Sequence, residues 1–332
     1  MKTNLFLLGM AVAAFSSCTN EEVTDVAQNR AIKFNQFVNN NTRTVVEVNT
    51  DNLQNYYVFG ESGNVEGTYG TKNFNNELQT TSYYWIADKY YSFGAYADGN
   101  SGKIEGATFN ANDGKLTFTN YTPDDAKDLV AAVTKMQCNS DASQQEAVDL
   151  TFKHMLSQVK FTFNTTDGEE YQIEISNLKI NAVKTSTGNI TLSQSNITIN
   201  WENISAIKED YDEYPVISDV ANENKTASSK SKLVIPQDGT DQLKVTFTAT
   251  IIGAGLNKTA NFEAILAVDE NIAGTSEANT WMPGYCYNYT ATINGDDIDP
   301  NLENQKIEFT PTVNPWQDAT DTPVKPQISV VP

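Results

Sequence analysis

One histidine, three cysteines and two arginines in 332 residues leave few of the groups from which most catalytic or metal centres are built. A Ser-His-Asp arrangement would rest on His154 alone, and a His-rich metal site lacks its ligands. His154 stands among Phe152, Met155 and Leu156, so a structural histidine is expected there and not a catalytic one. The cysteines, at 18, 138 and 286, lack the paired spacing of a zinc or redox site. A disulfide between Cys138 and Cys286 stays open. No G-x-S-x-G, G-x-x-x-x-G-K-[ST] or G-x-G-x-x-G pattern appears, which removes the common nucleophile-elbow and phosphate-loop enzymes. Positive charge is also scarce: 22 Lys and Arg face 42 Asp and Glu, a net charge of −20. Such a surface repels phosphate, so nucleic acid is excluded as a partner. The carboxylates are too numerous for any one pair to suggest glycoside chemistry. The clusters Asp210–Glu213 and Asp296–Asp299 lack EF-hand spacing and read as solvated acidic loops. No enzyme, metal or cofactor is expected.

What is present begins with a leader. Lys2, an apolar run from Leu5 to Phe15, and Ser16-Ser17 before Cys18 have the layout of a secretory signal. The run is shorter than the roughly 20 residues needed to cross a bilayer. A cysteine after two small residues predicts diacylglyceryl attachment at Cys18 and cleavage just before it, although Phe15 stands where an aliphatic residue is usual. Residues 1–17 are therefore the signal peptide of a lipoprotein, and 18–30 an acidic, flexible tether.

From Ala31 onward, short segments rich in Val, Ile, Phe, Tyr and Thr recur between clusters of Gly, Asn and Asp. Strands are expected at Ile32–Phe34, Tyr56–Phe59, Tyr83–Ile86, Tyr91–Tyr96 and Lys115–Phe118, the last after an Asp113-Gly114 hairpin turn. Thr122-Pro123-Asp124-Asp125 could start a helix, but Asp128–Val133 reads better as a buried strand. In the second half Val159, Phe161 and Phe163 alternate with polar residues, and Ile173, Ile175, Leu178 and Ile180 follow. Ile190–Leu192, Ile197–Trp201, Lys232–Pro236, Leu243–Ile251, Ala264–Leu266 and Tyr285–Ile293 continue the pattern. The length suits two domains of ~100–200 residues each. The fold class is all-β with two β-sandwiches, at 31–152 and 153–318, followed by a tail at 319–332.

Two stretches carry a resemblance that covers most of the chain. Phe152-x-His154-x-Leu156-Ser157-x-Val159-x-Phe161 resembles a signature of the fimbrillin (Mfa-like) family. Trp281 to Thr290, then Ile307–Phe309 and Val313-Asn314-Pro315-Trp316, are similar to its closing pattern. The resemblance implies tandem transthyretin-like sandwiches in a type V pilus subunit of Bacteroides-like bacteria, lipid-anchored through Cys18 to the outer membrane and exposed on the cell surface. It also implies that an arginine-directed protease cuts after Arg43 or Arg30, the two arginines of the chain. Arg43 is preferred, because that cut takes away the strand Ile32–Val38. The opened groove would accept a strand from another pilin subunit, the tail with Ile328, Val330 and Val331 being the candidate donor. A host or glycan receptor stays open. The rival reading is a carbohydrate-binding surface lipoprotein that does not polymerise, with Tyr56, Tyr83, Tyr84, Trp85, Tyr90 and Tyr91 as stacking platforms.

Overall fold

The computed structural model describes residues 30–38, 53–99, 102–166, 171–202, 208–214, 226–237, 243–253, 255–266, 281–302 and 305–315. Within them the regular structure is β-strand, with short 3₁₀ turns at 142–144 and 295–297. The first eight strands are β1 (Phe34–Val38), β2 (Tyr57–Gly63), β3 (Thr71–Leu78), β4 (Tyr90–Asp98), β5 (Ala107–Asn110), β6 (Lys115–Tyr121), β7 (Leu129–Gln137) and β8 (Val148–His154). Six of these form one sheet in the order β1-β8-β7-β4-β2-β3. The sheet is buried on both faces, which explains why β4 and the first half of β7 read as continuous apolar runs and not as alternation. On one face lie Tyr56, Val58, Phe74, Phe93, Val130 and Phe152. That face is closed by Leu53, Trp85, Cys138 and Ala142 from connecting segments, by Val38 at the end of the first strand and by Ile32 just before it.

The opposite face packs against a four-stranded sheet whose members come from distant parts of the chain. The later strands are β9 (Ser157–Asn164), β10 (Gln172–Ala182), β11 (Ser186–Ser193), β12 (Asn196–Glu202), β13 (Glu209–Asp210), β14 (Ala227–Ser228), β15 (Lys232–Val234), β16 (Lys244–Gly253), β17 (Leu256–Ile265), β18 (Tyr285–Thr292), β19 (Gln305–Lys306) and β20 (Thr310–Pro315). The hairpin β11–β12 reaches back and pairs with β6, giving the order β12-β11-β6-β5. Its Ile190 and Trp201 join Phe59, Tyr96, Leu116, Phe118 and Leu129 in a second core. A third core lies between the sheet β13-β10-β16-β17-β19 and the sheet β14-β9-β18-β20. Phe161 stacks on Tyr289 at 5.7 Å and Phe247 on Phe262 at 5.1 Å within it.

Local sequence accounts for much of this. The Asp113-Gly114 pair makes the β5–β6 turn, with Gly114 at φ 62°. In β10 the apolar residues step by two, three and two, and the three-residue step is a bulge: the register with β16 shifts between Ser176 and Lys179, and Asn177 takes φ 53°. Ile175 and Leu178 are thereby both buried. The stretch 129–133 is strand, in β7, with Asp128 just before it, and no helix forms after Thr122. One expectation is corrected. Tyr83–Ile86 is not a strand; apart from an isolated bridge between Tyr84 and Ala31, it is a connecting segment that lays Trp85 over the first core. Its aromatic content reflects this covering role, which composition cannot tell from a pleated one. The first strand likewise begins at Phe34, beyond Ile32.

Gly188 on β11 lies flat beneath the ring of Trp201, where an added Cβ would stand 2.8 Å from the indole. Gly188→Ala is expected to lower stability by about 1–3 kcal/mol through this overpacking. Chemical denaturation followed by tryptophan fluorescence measures the loss.

Candidate functional site

Two places in the molecule concentrate chemistry that the packing alone does not require. The first is the crossing from β8 to β9, which consists of Met155 and Leu156 alone, both fully buried. Buried backbone must find partners, and here they come from far along the chain. Met155 donates its N–H to the Leu129 carbonyl at 2.9 Å, and its own carbonyl accepts from Trp201 Nε1 at 2.8 Å. The Leu156 carbonyl accepts from the Gly284 N–H at 2.8 Å, and Ser157 Oγ donates to the Met282 carbonyl at 2.7 Å. At the end of β8, His154 Nδ1 lies 2.9 Å from Asp128 Oδ2, with both side chains buried. His154 is thus a structural residue tying β8 to the start of β7.

Beside this pair Asp98 accepts a 2.8 Å hydrogen bond from the Tyr121 hydroxyl. Burial pushes the Asp98 carboxyl up to about 6, while the Tyr121 hydrogen bond and Lys127 pull it down and Asp124 and Asp128 push it up. Burial also raises Tyr121 well above the ordinary tyrosine range. Asp125 holds the buried Lys232 Nζ at 2.6 Å and accepts from the Leu233 N–H at 3.1 Å, joining the β6–β7 connection to β15. Asp125 was one of the two acids whose pattern suggested a helix N-terminus; its partners are more than 100 residues away in sequence, where no local signal points, whereas Asp124 is held locally by the Ala126 N–H and Lys127.

The second place is the edge formed by β1. It pairs in parallel with β8 over five positions, from Phe34 opposite Val148 to Val38 opposite Phe152. On its other side β8 is registered to β7 at only two positions, His154 and Lys153. Much of the support of β8 therefore comes from β1. The alternation of β1 sends Phe34 and Val38 inward and Phe37 outward. Phe34 meets Tyr56, Phe74 and Phe93 edge-on, at ring distances of 6.4, 5.4 and 5.6 Å. Gln36 Nε2 donates to the Leu53 carbonyl at 3.0 Å. Upstream, the Arg30 guanidinium donates to the Trp85 carbonyl at 2.8 Å, and the Trp85 N–H returns a bond to the Arg30 carbonyl at 2.8 Å.

Of the residues expected to act, only Arg30 falls where the structure can place it. Cys18, Arg43, Ile328, Val330 and Val331 lie outside the described residues. Cys138 is a free thiol buried in the first core, whereas Cys286 sits on β18 next to the third. Tyr56, Trp85 and Tyr91 are buried in the first core, so they offer no sugar-stacking face; Tyr84 is the exposed member of those clusters. In the acidic clusters the carboxylates are separately engaged: Asp210 with Asn181, Asp212 with Lys184, Glu213 with the Asn177 N–H and Asp299 with Asn301. Among the described residues no group of three His, Cys, Asp or Glu side chains is placed to hold a metal.

Residues 22–316 match the model of the family described as fimbrillin-like. No curated protein is a significant match to the chain. Among solved structures, a candidate cell adhesion protein from Parabacteroides distasonis superposes with a TM-score of 0.51 at 10% identity, covering 88% of this chain and 99% of that one. A candidate cell adhesion protein from Bacteroides uniformis gives 0.43 at 14%, covering 87% and 99%. The fimbrial anchor protein Mfa2 from Porphyromonas gingivalis gives 0.35 at 12%, covering 85% and 98%. The first of these shares the fold.

The raised carboxyl of Asp98 has a defined effect on stability. The folded group keeps its proton up to about pH 6, while the unfolded one releases it near 3.8. Its contribution is therefore full at low pH, falls as the pH rises through that window, and stays lost above it. Asp98→Asn preserves an acceptor for Tyr121 and removes the ionisation. The variant is expected to be more stable than the parent at pH 7 by about 1–3 kcal/mol, with the difference vanishing near pH 4. Urea denaturation at the two pH values checks this.

Proposed function

The chain belongs to the fimbrillin-like family, a structural and adhesive family and not one of enzymes, and from the placement of β1 we propose that it is a fimbrial subunit whose first strand is exchanged for a neighbour's. Family membership puts it at the cell-surface fimbrium in association with other subunits. The finer steps are these. The chain is exported as a lipoprotein, acylated at Cys18 and held at the outer membrane. A cut after Arg43 then frees 18–43, and with it the whole of β1. Departure of β1 would strip the backbone partners from β8 and withdraw Ile32, Phe34 and Val38 from the first core. An extended strand from another subunit restores both, which is strand addition to an open edge. Segment 319–332, with Ile328, Val330 and Val331, is the strand this chain offers in turn to a neighbour.

The observation that carries this reading is that, among the described residues, β1 is an edge strand with an aromatic anchor, laddered to β8 alone. The surroundings of Arg30 support Arg43 as the site of the cut. Cutting after Arg30 would leave β1 in place, and Arg30 is held at both its guanidinium and its carbonyl by Trp85, so its backbone is already paired where a protease would have to bind it.

Mass and N-terminal sequence of the protein sheared from its native surface test the proposal. A chain starting at Thr44 is expected, with Arg43→Ala blocking the conversion and Arg30→Ala leaving it intact. A start at an acylated Cys18 in assembled filaments overturns the processing step.

A further inference from the structure

We propose that the groove under β1 selects a strand carrying an aromatic side chain, so that its occupant is a strand of a different subunit and not segment 319–332 of a second copy. This inference rests on strand exchange as proposed above, and it concerns which strand is accepted.

The selectivity follows from what β1 fills. Its inward residues, with Ile32 just ahead of it, form a code along the chain: aliphatic at Ile32, aromatic at Phe34, an amide at Gln36 and aliphatic at Val38. The aromatic position is the demanding one. Phe34 is met edge-on by Tyr56, Phe74 and Phe93, and Tyr56, Phe74 and Phe93 are themselves buried and tied into the rest of the core through Phe152, Tyr83 and Trp85. Three rings locked in this way cannot close over a missing fourth, so a smaller side chain leaves a void and forfeits the edge-to-face contacts. Segment 319–332 contains no aromatic residue. In either direction and in every register it can bring only an aliphatic residue, a proline or a polar or charged residue to the Phe34 position, never an aromatic ring. Its Pro323, Pro326 and Pro332 also lack the N–H that a strand needs on a ladder. Charge points the same way, because two copies that each carry a net −20 repel one another. The partner that fits is a surface subunit of other sequence, presenting an extended aliphatic-x-aromatic-x-polar-x-aliphatic strand.

The test uses the full folded chain, nicked after Arg43 by an arginine-specific protease, so that β1 stays seated until displaced. Fluorescent peptides are added in excess: residues 30–38, the same peptide with Phe34→Val, and residues 319–332. Native mass spectrometry and anisotropy read their incorporation. The 30–38 peptide is expected to enter, the Phe34→Val peptide to bind roughly 30-fold or more weakly, and the 319–332 peptide not to compete. If 319–332 or the valine peptide enters as well as the parent, aromatic selection is overturned while strand exchange stands. If even the parent 30–38 peptide never replaces its own strand, exchange itself is wrong and the selectivity falls with it.

Discussion

The rest of the structure depends on the burial of two peptide units, those of Met155 and Leu156, where the chain passes from one core to the next without a loop. Most connections run over a surface, where water satisfies the backbone. This one has no water to rely on, and an unmet buried N–H or C=O would cost roughly 1–3 kcal/mol. Leu129, Trp201 and Gly284 supply the partners, and each can do so only if its own strand is in register. β7, the β11–β12 hairpin and the turn before β18 are thereby fixed relative to one another by a single crossing. The Asp125–Lys232 pair and the His154–Asp128 pair lie around it and tie together the strands that approach from each side.

That arrangement gives a physical meaning to the motif at 152–161. Phe152 is in the first core, Leu156 in the second, and Val159 and Phe161 in the third. His154 and Ser157 bond outward to Asp128 and Met282. Ten residues therefore touch every core of the molecule. The closing pattern serves the same frame: Trp281, Tyr287 and Tyr289 are buried in the third core, with Trp281 Nε1 donating to the Tyr289 hydroxyl at 2.9 Å. A sequence signature that names a fold can thus be a set of hydrogen-bonding obligations and not a catalytic device.

Alternation made the half-wet strands legible. Val159, Phe161 and Phe163, or Val245, Phe247, Ala249 and Ile251, could be read as one buried face each and are so. The three-residue step in β10 was visible too, though only the structure shows it as a bulge at Asn177. Sheet order was not legible, because nothing local says that Ile190 will face Leu116 from a distant part of the chain. Nor was the doubly covered sheet: Tyr83–Trp85 looks like a strand in composition and acts as a lid. For the candidate site, the strand Ile32–Val38 and its neighbouring arginines could be singled out from sequence. Its dependence on Tyr56, Phe74 and Phe93 could not, because those rings come from three separate connections and strands.

The two regions meet in β8, and their division along that strand would let the fold give up β1 under the proposed exchange without coming apart. The last residues of β8, Lys153 and His154, are held by β7 and by the Asp128 pair. The first five are laddered to β1 and carry Val148, Leu150 and Phe152 into the first core. Phe34, Ile32 and Val38 pack in the first core and are members of neither the second nor the third. Withdrawing β1 therefore uncovers one edge and one aromatic pocket while the buried crossing keeps all of its bonds. The exposed edge then has both a fixed end and a fixed direction. A replacement has to be an extended chain, since only a strand can answer evenly spaced backbone groups, and its side chains have to meet rings that the remaining fold still holds in place.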